Sequence, residues 1–376
     1  MTSLTILFQR IIDKCIFSPL CYVLSPLKIN KILFRSDVKK ILIIKFWALG
    51  DSVVLLPLLS ALKKEFPKAK IDVLAHERNR IIFEGQKNIN KIINFGTLNI
   101  IKNFRKYDLC IDAEPALSVS AVVAFIMSKF RLGFSHGARK RTYQKTIEFR
   151  KTQHMVQNYL DFARKLGIKY DTEELEPISV SENEKKSVDL FLKKNKIKSR
   201  DLLVGIVPGL AESVKYRMWP AEKFAKLADE LAQKRKAKIL FIDSNGNKKI
   251  IEKIRSLMIS ESLSSVDEFG SPKNLKKSAE LAGRCDVVIS NDSGMMHIAA
   301  AQGAKTIGLF GPNTPNLWAP YGKNNAVVFK PKTGCPYMEN KSRDLLPKKL
   351  TKEQLTCMDA ISVNDVMHIA EKLIRK

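Results

Sequence analysis

The repeated alternation of short apolar runs and helical segments constrains the fold of this chain more than any other feature. Ile41–Ile44 is a continuous apolar run, as expected for a strand that is buried on both faces of a parallel sheet. Ser52–Phe66 follows with helical periodicity, and the same order recurs up to residue 166. A second series begins at Leu202–Val207, after a polar stretch at 171–183 that is predicted to be the hinge. We therefore expect an α/β chain of two Rossmann-like, doubly wound domains facing across a cleft, with ligands beyond the carboxyl ends of the strands.

The same patterns predict the boundaries of elements and domains. Further strands are expected at Ile71–Ala75, Lys91–Phe95, Asp108–Ile111, Arg131–Phe134, Lys238–Ile242, Asp286–Ser290, Thr306–Phe310 and Ala326–Phe329. Further helices are expected at Ala116–Phe130, Met155–Leu166, Ala221–Gln233, Leu275–Gly283, Gly294–Gln302 and Val363–Ile374, with another beginning at Lys248. The predicted divisions are an apolar, basic extension (1–36), a first Rossmann-like domain (37–180), a second Rossmann-like domain (181–360) and a terminal helix (361–376).

The formal net charge of +27 limits the partners that the chain can have. A basic protein is attracted to anionic surfaces, either phosphorylated membrane lipid or nucleic acid. Nucleic acid is not expected as a partner, because the sequence contains no zinc-finger spacing, RNP-like motif or long basic helix. Part of the charge could equally reflect genome composition, since most of it comes from lysine.

The N-terminal extension and the cysteines bear on localisation. The extension, residues 1–36, has five basic residues and one acidic residue. It could lie on a membrane surface as a broken amphipathic helix, or pack on the outside of the first domain. No apolar run approaches the roughly 20 residues that span a bilayer, and the start is no secretory signal. The six cysteines are scattered and are expected to be reduced thiols. We expect a cytoplasmic protein that could be peripheral on a membrane surface.

Two predicted strand-to-helix junctions place functional groups where a sheet opens to solvent. The first contains Gly50, which permits a sharp turn, and Asp51, which lies at a helix start where the dipole favours a carboxylate. The second contains Gly209 at a strand end, followed by Lys215 and Arg217, which are well placed to neutralise a diphosphate. A plain helix cap and two ordinary surface charges are the simpler explanations.

A third junction resembles an anion-binding site. The backbone N–H groups of Ser293, Gly294 and Met295 would point out of a helix N-terminus, where a phosphate gains from hydrogen bonds and from the helix dipole. A capping turn without a ligand is the alternative. Another loop at a strand end, with Gly311 and Thr314, follows shortly after.

Three segments of the chain are similar to the signatures of glycosyltransferase family 9, the ADP-heptose:lipopolysaccharide heptosyltransferases. They are ILIIKFWALGDSVVLLPLLSALKKEFPKAKIDVLA, VPGLAESVKYRMWPAEKFAKLADEL and CDVVISNDSGMMHIAAAQGAKTIGLFGPNTP, in the right order and at about the right separation. The similarity covers roughly residues 38–376. It implies the GT-B architecture, an inverting mechanism without a metal or other cofactor, and transfer from ADP-L-glycero-D-manno-heptose to the inner core of lipopolysaccharide. The first domain (37–180) would then be the acceptor-side domain, the second (181–360) the nucleotide-sugar domain, and the terminal helix (361–376) would cross back to the first domain. Such an enzyme is expected to be cytoplasmic and could be peripheral on the inner face of the inner membrane.

The resemblance also implies roles for individual residues. Asp51 matches the family's catalytic base, which accepts the proton of an acceptor hydroxyl. Arg217 stands where the family usually has a lysine on the donor phosphates, so Lys215 would share that role. Asp292 matches a residue that faces the donor sugar.

The remaining matched positions surround the donor. Ser293, Gly294 and Met295 match the backbone phosphate clamp, and His297 matches the histidine of the family's DSGxxH motif, with a structural role favoured over catalysis. Gly50, Gly209 and the loop of Gly311 and Thr314 are expected to contact the donor or to shape its surroundings.

A basic stretch at Arg131–Lys151 is a candidate acceptor site. It has seven basic residues and one acidic residue, and Arg139, Lys140 and Arg141 are expected to bind the anionic groups of a lipid-linked saccharide acceptor. A solvated charge run is the alternative. Asp112-Ala-Glu114 is the nearest approach to a DxD metal motif and is not convincing, so no metal is expected.

Two other functions stay open at this point. One is a transferase of the same fold with another nucleotide-sugar donor, or a related epimerase. The other is a non-catalytic protein that binds anionic surfaces. A dinucleotide oxidoreductase is less well supported, because no G-x-G-x-x-G motif follows any strand and no P-loop is found.

Overall fold

A computed structural model of the protein describes residues 10–28, 33–336 and 351–375. The chain forms two compact units, residues 1–172 and 173–376, so the division precedes the predicted one at 180/181. Each unit contains one six-stranded sheet whose strand pairs are all parallel, as the strand–helix alternation predicts.

The sheet of the first unit has the strand order β3-β2-β1-β4-β5-β6. Its strands are β1 (Lys40–Lys45), β2 (Lys70–Ala75), β3 (Lys91–Asn94), β4 (Tyr107–Asp112), β5 (Ser128–Phe134) and β6 (Lys145–Ile147). The order reverses between β1 and β4, which pair in the register Ile44 to Asp112. In α/β sheets ligands bind at such a reversal, beyond the carboxyl ends of the strands.

The helices of the first unit cover both faces of this sheet. They are α1 (Ser18–Leu24), α2 (Leu49–Val53), α3 (Leu56–Glu65), α4 (Glu77–Phe83), α5 (Thr97–Lys102), α6 (Ser118–Met127) and α7 (Met155–Lys165). The single helix predicted at Ser52–Phe66 is divided into α2 and α3, because Pro57 in the first turn of α3 has no N–H to continue the hydrogen-bond ladder.

The described part of the N-terminal extension packs on the outside of the first unit, one of the two predicted alternatives. Cys21 is buried, and Phe17, Leu20 and Leu24 pack against the apolar core around it. Asp13, also buried, accepts hydrogen bonds from the backbone N–H groups of Ser118 and Val119 (3.0 and 2.8 Å) at the start of α6. Within the described ranges, no helix has the length and apolar character needed to cross a membrane.

The sheet of the second unit has the order β12-β11-β10-β7-β8-β9. Its strands are β7 (Leu203–Val207), β8 (Lys238–Phe241), β9 (Ser262–Ser264), β10 (Val287–Asn291), β11 (Lys305–Phe310) and β12 (Ala326–Phe329). Relative to chain order this is the same topology as in the first unit, with the reversal between β7 and β10. The prediction of two Rossmann-like domains is therefore confirmed.

The helices of the second unit include one, Glu182–Lys194, that begins where the stretch predicted to be the hinge (171–183) ends. They are α8 (Glu182–Lys194), α9 (Ala221–Arg235), α10 (Lys248–Leu257), α11 (Val266–Phe269), α12 (Leu275–Gly283), α13 (Gly294–Ala301), α14 (Pro315–Trp318), α15 (Lys352–Leu355) and α16 (Val363–Arg375). The terminal helix α16 was expected to cross back to the first domain. In the structure Val366, Met367 and Ala370 are buried in the core of the second unit, where α16 packs against α9 and the sheet.

The cysteines differ from the expectation of six reduced thiols. Cys335 and Cys357 form a disulfide with a Cα–Cα distance of 5.8 Å, 22 residues apart in the chain. No short spacing marks this pair in the sequence, because tertiary packing brings the two residues together. Cys15, Cys21, Cys110 and Cys285 are free, and the last three are buried.

Candidate active site

A buried lysine joins two carboxylates at the strand reversal of the first sheet. Lys45 ends β1 and is fully buried. Its Nζ lies 3.3 Å from Oδ1 of Asp51 and 3.7 Å from Oε1 of Glu114. The lysine therefore compensates negative charge at the carboxyl ends of β1 and β4, the edge where a ligand of such a sheet binds.

Asp51 lies in the first turn of α2, as predicted. Its side chain is 17% exposed, whereas that of Glu114, the other carboxylate that Lys45 contacts, is 1% exposed. Of these two carboxylates, Asp51 is therefore the one that can reach a substrate. Gly50 precedes it and is buried within α2.

Glu114 and Asn79 hold the segment that connects β1 to α2. Glu114 accepts hydrogen bonds from the backbone N–H groups of Phe46 (2.9 Å) and Trp47 (3.1 Å). The buried amide of Asn79 donates to the backbone carbonyl of Lys45 (2.9 Å) and to the hydroxyl of Ser52 (2.8 Å). These contacts fix the backbone on either side of Asp51.

Arg139 is a buried structural residue, which corrects its predicted place at the surface with Lys140 and Arg141. It is 1% exposed, and its Nη2 donates to Oδ2 of Asp112 (2.8 Å), the last residue of β4. The hydroxyl of Tyr143 donates to the same oxygen (2.6 Å). Burial acts to lower the pKa of Arg139, but the charge interactions with Tyr143 and Asp112 outweigh it and hold that pKa above its ordinary value.

The neighbouring basic residues stay candidates for the acceptor. Arg139, Lys140 and Arg141 share one short 3-10 helix, Ala138–Thr142, so consecutive side chains point in different directions. Lys140 and Arg141 are exposed, and the guanidinium of Arg141 lies 4.5 Å from the ring centre of Tyr22 in α1.

An asparagine joins two of the predicted junctions at the strand reversal of the second sheet. Asn291, the last residue of β10, is fully buried. Its Oδ1 accepts from the backbone N–H of Trp219 (3.0 Å), and its Nδ2 donates to the carbonyl of Pro208 (2.7 Å). The loop after β7 is thereby tied to the end of β10.

Asp292 and Arg217 form the charged centre of this second site. Oδ2 of Asp292 accepts from Nη1 of Arg217 (3.0 Å) and from Nδ2 of Asn313 (2.9 Å). The Arg217 side chain keeps 19% exposure. Lys215 is more exposed and forms an ion pair with Glu212 (2.5 Å) on the same short 3-10 helix. The structure thus brings Arg217, and not Lys215, against Asp292.

Helix α13 begins at this site. Ser293 is its N-cap residue, and its Oγ accepts from the N–H of Met296 (3.3 Å) and lies 3.0 Å from Oγ of Ser290. Gly294 and Met295 occupy the first turn, where backbone N–H groups have no partner within the helix. His297 is 3% exposed, and its ring packs edge-on against Trp318 with centres 6.1 Å apart, which favours its predicted structural role.

The glycine at the end of β7 serves a close backbone approach. The N–H of Gly209 donates to Oδ2 of Asp243 (2.7 Å), and a Cβ on Gly209 would lie 2.3 Å from the side chain of Asn247. Burial raises the pKa of Asp243, although hydrogen bonds from Asn247, Ser244 and Gly209 oppose that shift. The Asp243 carboxylate is thus held by a backbone N–H of the loop that follows β7.

Gly311 and Thr314 also make structural contacts. A Cβ on Gly311 would lie 2.7 Å from the sulfur of Met358 and 3.2 Å from Cβ of Cys357. Thr314 is the N-cap residue of α14, and its hydroxyl accepts from the N–H of Asn316 (3.4 Å).

Four residues of these two sites were not anticipated as functional: Lys45, Glu114, Asn291 and Asn313. Lys45 had a readable signal, because it directly follows the apolar run Ile41–Ile44 and would have to be buried with a counter-charge. The other three are ordinary polar residues in loops or at strand ends, and only the tertiary structure shows what they contact.

The nearest approach to a DxD motif is neutralised by the protein itself. Asp112 pairs with Arg139, and Glu114 pairs with Lys45. In the described ranges there is no cluster of three or more His, Cys, Asp or Glu side chains that could hold a metal ion.

Comparison with known proteins gives consistent matches along the chain. Residues 99–348 match the profile of Glycosyltransferase family 9 (heptosyltransferase). Lipooligosaccharide heptosyltransferase 2 of Haemophilus ducreyi is 27% identical over 316 residues, which are 77% of this chain and 88% of that protein. A crystal structure of a family 9 glycosyl transferase from Veillonella parvula has a TM-score of 0.75 at 24% identity and covers 92% of this chain and 99% of that one. The structure of E. coli ADP-heptose lps heptosyltransferase II has a TM-score of 0.68 at 21% identity, covering 90% and 98%.

Proposed function

Because the chain belongs to glycosyltransferase family 9, the heptosyltransferases, we propose that it transfers heptose from ADP-L-glycero-D-manno-heptose to the inner core of lipopolysaccharide, with inversion and without a metal ion. The resemblance seen in the three sequence motifs is confirmed at the level of the family, and the chain is a glycosyltransferase. The donor, the acceptor and the mechanism are proposals that rest on the residues described above.

The proposed donor site lies in the second unit, and Arg217 is the residue that carries it. Its guanidinium sits at the strand reversal, held by Asp292 and next to the N-terminus of α13. We propose that the donor diphosphate binds to Arg217 and to the backbone N–H groups of Ser293, Gly294 and Met295. A guanidinium and a helix N-terminus both favour phosphate oxygens. Lys215 is proposed to contribute less to neutralising the same diphosphate.

The proposed general base is Asp51 in the first unit. The acceptor oxygen forms a bond to the anomeric carbon while the bond from that carbon to the diphosphate oxygen breaks. The hydroxyl proton passes to the carboxylate of Asp51, and ADP leaves with the bonding electron pair. Attack from the face opposite ADP inverts the anomeric configuration. Lys45 holds the carboxylate in place at 3.3 Å.

The negative charge that develops on the leaving ADP is proposed to be stabilised by groups of the protein. Arg217, Lys215 and the amide groups of α13 supply the positive potential that a metal ion provides in other enzymes. The carboxylates of Asp112 and Glu114 are engaged by buried cations. The structurally similar E. coli protein is an ADP-heptose lps heptosyltransferase, which supports the choice of donor.

The acceptor is proposed to be an anionic, lipid-linked saccharide, with Lys140 and Arg141 as contacts for its charged groups. Both side chains are exposed. With such an acceptor, we propose that the enzyme acts in the cytoplasm, at the inner face of the inner membrane where the acceptor would be anchored.

An Asp51→Asn variant tests the assignment of the base. The amide keeps the size of the side chain but cannot accept the proton, so transfer should fall by about 10²- to 10⁴-fold while ADP binding is retained. Asp37→Asn is the matched control, since Asp37 is an exposed residue of the same unit. Full transfer by Asp51→Asn would refute the base, and full biological activity would favour a binding function.

The donor and the mechanism need separate measurements. ADP-heptose should raise the melting temperature more than UDP- or GDP-sugars do, because a ligand at 100 times its Kd stabilises the folded state by about 2.7 kcal/mol. A larger rise in melting temperature with another nucleotide sugar would identify that sugar as the donor instead. NMR of the product should show the inverted anomer, and transfer should persist in EDTA; retention of configuration or loss of transfer would refute the corresponding statement.

A further inference from the structure

Exposed apolar side chains are concentrated in two short segments of the first unit. Among the described residues, fourteen large hydrophobic side chains are exposed, and nine of them fall in just two stretches of the chain. These are Ile11, Ile16, Tyr22, Val23 and Leu27 around α1, and Phe95, Leu98, Ile101 and Phe104 around α5. Scattered exposed apolar residues need no explanation, but a concentration of this kind marks an interaction surface.

The two segments lie on the same side of the first sheet. Helices α1 and α5 both pack against α6, and Leu20 and Leu24 from one segment and Ile100 from the other contact the same apolar core. The inward-facing residues of each segment are thus accounted for by packing on α6. Among the outward-facing residues, Phe95 also contacts the ring of Phe46 (centres 4.6 Å apart) and Tyr22 contacts the guanidinium of Arg141 (4.5 Å). All nine nevertheless keep at least 41% of their surface exposed, and we call these nine side chains the outer apolar face.

The exposed charged residues of both segments are basic. Asp13 is the sole acidic residue of the N-terminal extension, and it is buried where it caps α6. The segment 95–106 contains Lys102, Arg105 and Lys106 and no acidic residue. Lys14, Lys102 and Lys106 are exposed.

We propose that the outer apolar face docks on an anionic phospholipid surface, with the apolar side chains in the interface and the surrounding cations on lipid phosphates. Exposed apolar residues flanked by lysine and arginine have the chemistry that such a surface binds. A second copy of this chain fits less well, because a two-fold contact through this face would bring like charges together. The proposal rests on the membrane location proposed above and assigns a surface to it. It concerns binding alone, so its failure would leave the donor and the mechanism unaffected.

Sedimentation with lipid vesicles tests the docking surface. The full chain should pellet with vesicles of phosphatidylcholine and phosphatidylglycerol and much less with phosphatidylcholine alone, and added salt should weaken the binding. Leu98→Gln/Ile101→Gln should reduce partitioning by about tenfold or more, because two apolar side chains no longer gain from burial in the lipid interface. Lys102→Glu/Lys106→Glu should have a similar effect.

Leu190→Gln/Ile259→Gln is the matched control. These two residues of the second unit are 67% and 88% exposed, against 73% and 62% for Leu98 and Ile101, so neither double variant should change the melting temperature. The proposal is overturned if the wild type does not pellet, if neutral vesicles bind as well, or if the control loses binding equally. It is also overturned if light scattering shows a dimer that Leu98→Gln/Ile101→Gln abolishes, since the face would then bind a second copy.

Discussion

Replacing Arg139 should lower the stability of the first unit, and this effect should not depend on binding of the acceptor. The guanidinium is 1% exposed and contacts Asp112, which is fully buried. An Arg139→Met variant removes the cation and leaves the Asp112 carboxylate with only Tyr143 and the backbone N–H of Glu114 as the described donors. An uncompensated buried charge costs about 3–5 kcal/mol.

The size of the effect can be measured as a shift in thermal unfolding. For a domain of this size, 1 kcal/mol corresponds to about 2–4 °C, so the first unit should melt about 6–20 °C lower in Arg139→Met. Lys140→Met, on the adjacent exposed lysine, is the matched control and should change stability by less than about 0.5 kcal/mol. Differential scanning calorimetry can follow the transitions of the two units separately.

A double variant separates the ion pair from simple loss of packing. Removing both charges in Asp112→Leu/Arg139→Met should recover part of the lost stability, because no unpaired charge then remains. The reasoning is refuted if Arg139→Met melts like the wild type while its KM for the acceptor rises. In that case the guanidinium would have to reach the acceptor, as the sequence alone suggested.

Three further perturbations probe other parts of the structure. Lys45→Met should lower kcat by about 10- to 100-fold with donor affinity unchanged, because the ammonium that positions Asp51 is lost. An unchanged kcat in a folded variant would show that Lys45 does not position the base. Partial burial acts to raise the pKa of Asp365, but hydrogen bonds from Lys330 and Ser362 lower it to about 2 from the ordinary 3.8. Since the folded-state pKa is depressed, this stabilisation is present above about pH 4 and lost as the pH falls towards 2. Urea unfolding of Asp365→Asn should therefore show a deficit of at most about 2 kcal/mol at pH 7 that shrinks between pH 4 and 2, and a deficit independent of pH would contradict this assignment. Reduction of the Cys335–Cys357 bond, which joins residues 22 apart, should destabilise the second unit by about 3 kcal/mol, as checked by unfolding with and without dithiothreitol; identical curves would show that it contributes nothing.

Elements with a strong apolar pattern were predictable from the sequence. Leu275–Gly283 and Ala326–Phe329 have the boundaries that were expected, because each is a clear helical or strand pattern between breaking residues. Strands β6 and β9 were missed because they are three-residue elements with few apolar positions. Helix α8 was missed because only Val188 and Phe191 are buried in it, although Ser181 and Glu184 form a capping box that the sequence displays.

The candidate sites were predictable as positions but not as contacts. Strand ends and helix starts placed Asp51 and Asp292 at their junctions, since local sequence determines where those turns occur. The pairing of Arg217 with Asp292 joins residues 75 positions apart, which no local pattern encodes. Lys45 and Asp51 are only six residues apart, but their contact depends on the path of the backbone between β1 and α2. Arg139 was misplaced for a related reason. Three consecutive basic residues look equivalent in a sequence, but a tight helical turn directs one of them inward.

The bond between Asp13 and the start of α6 affects how shortened versions of the protein should be interpreted. A chain that begins at residue 37 loses the carboxylate that satisfies the N–H groups of Ser118 and Val119, only a few residues beyond Glu114. Such trimming removes a lipid-facing segment and also loosens a turn that borders the proposed base. A drop in turnover after trimming would therefore not by itself demonstrate a need for membrane contact, and substitutions confined to outward-pointing side chains are the cleaner way to ask that question.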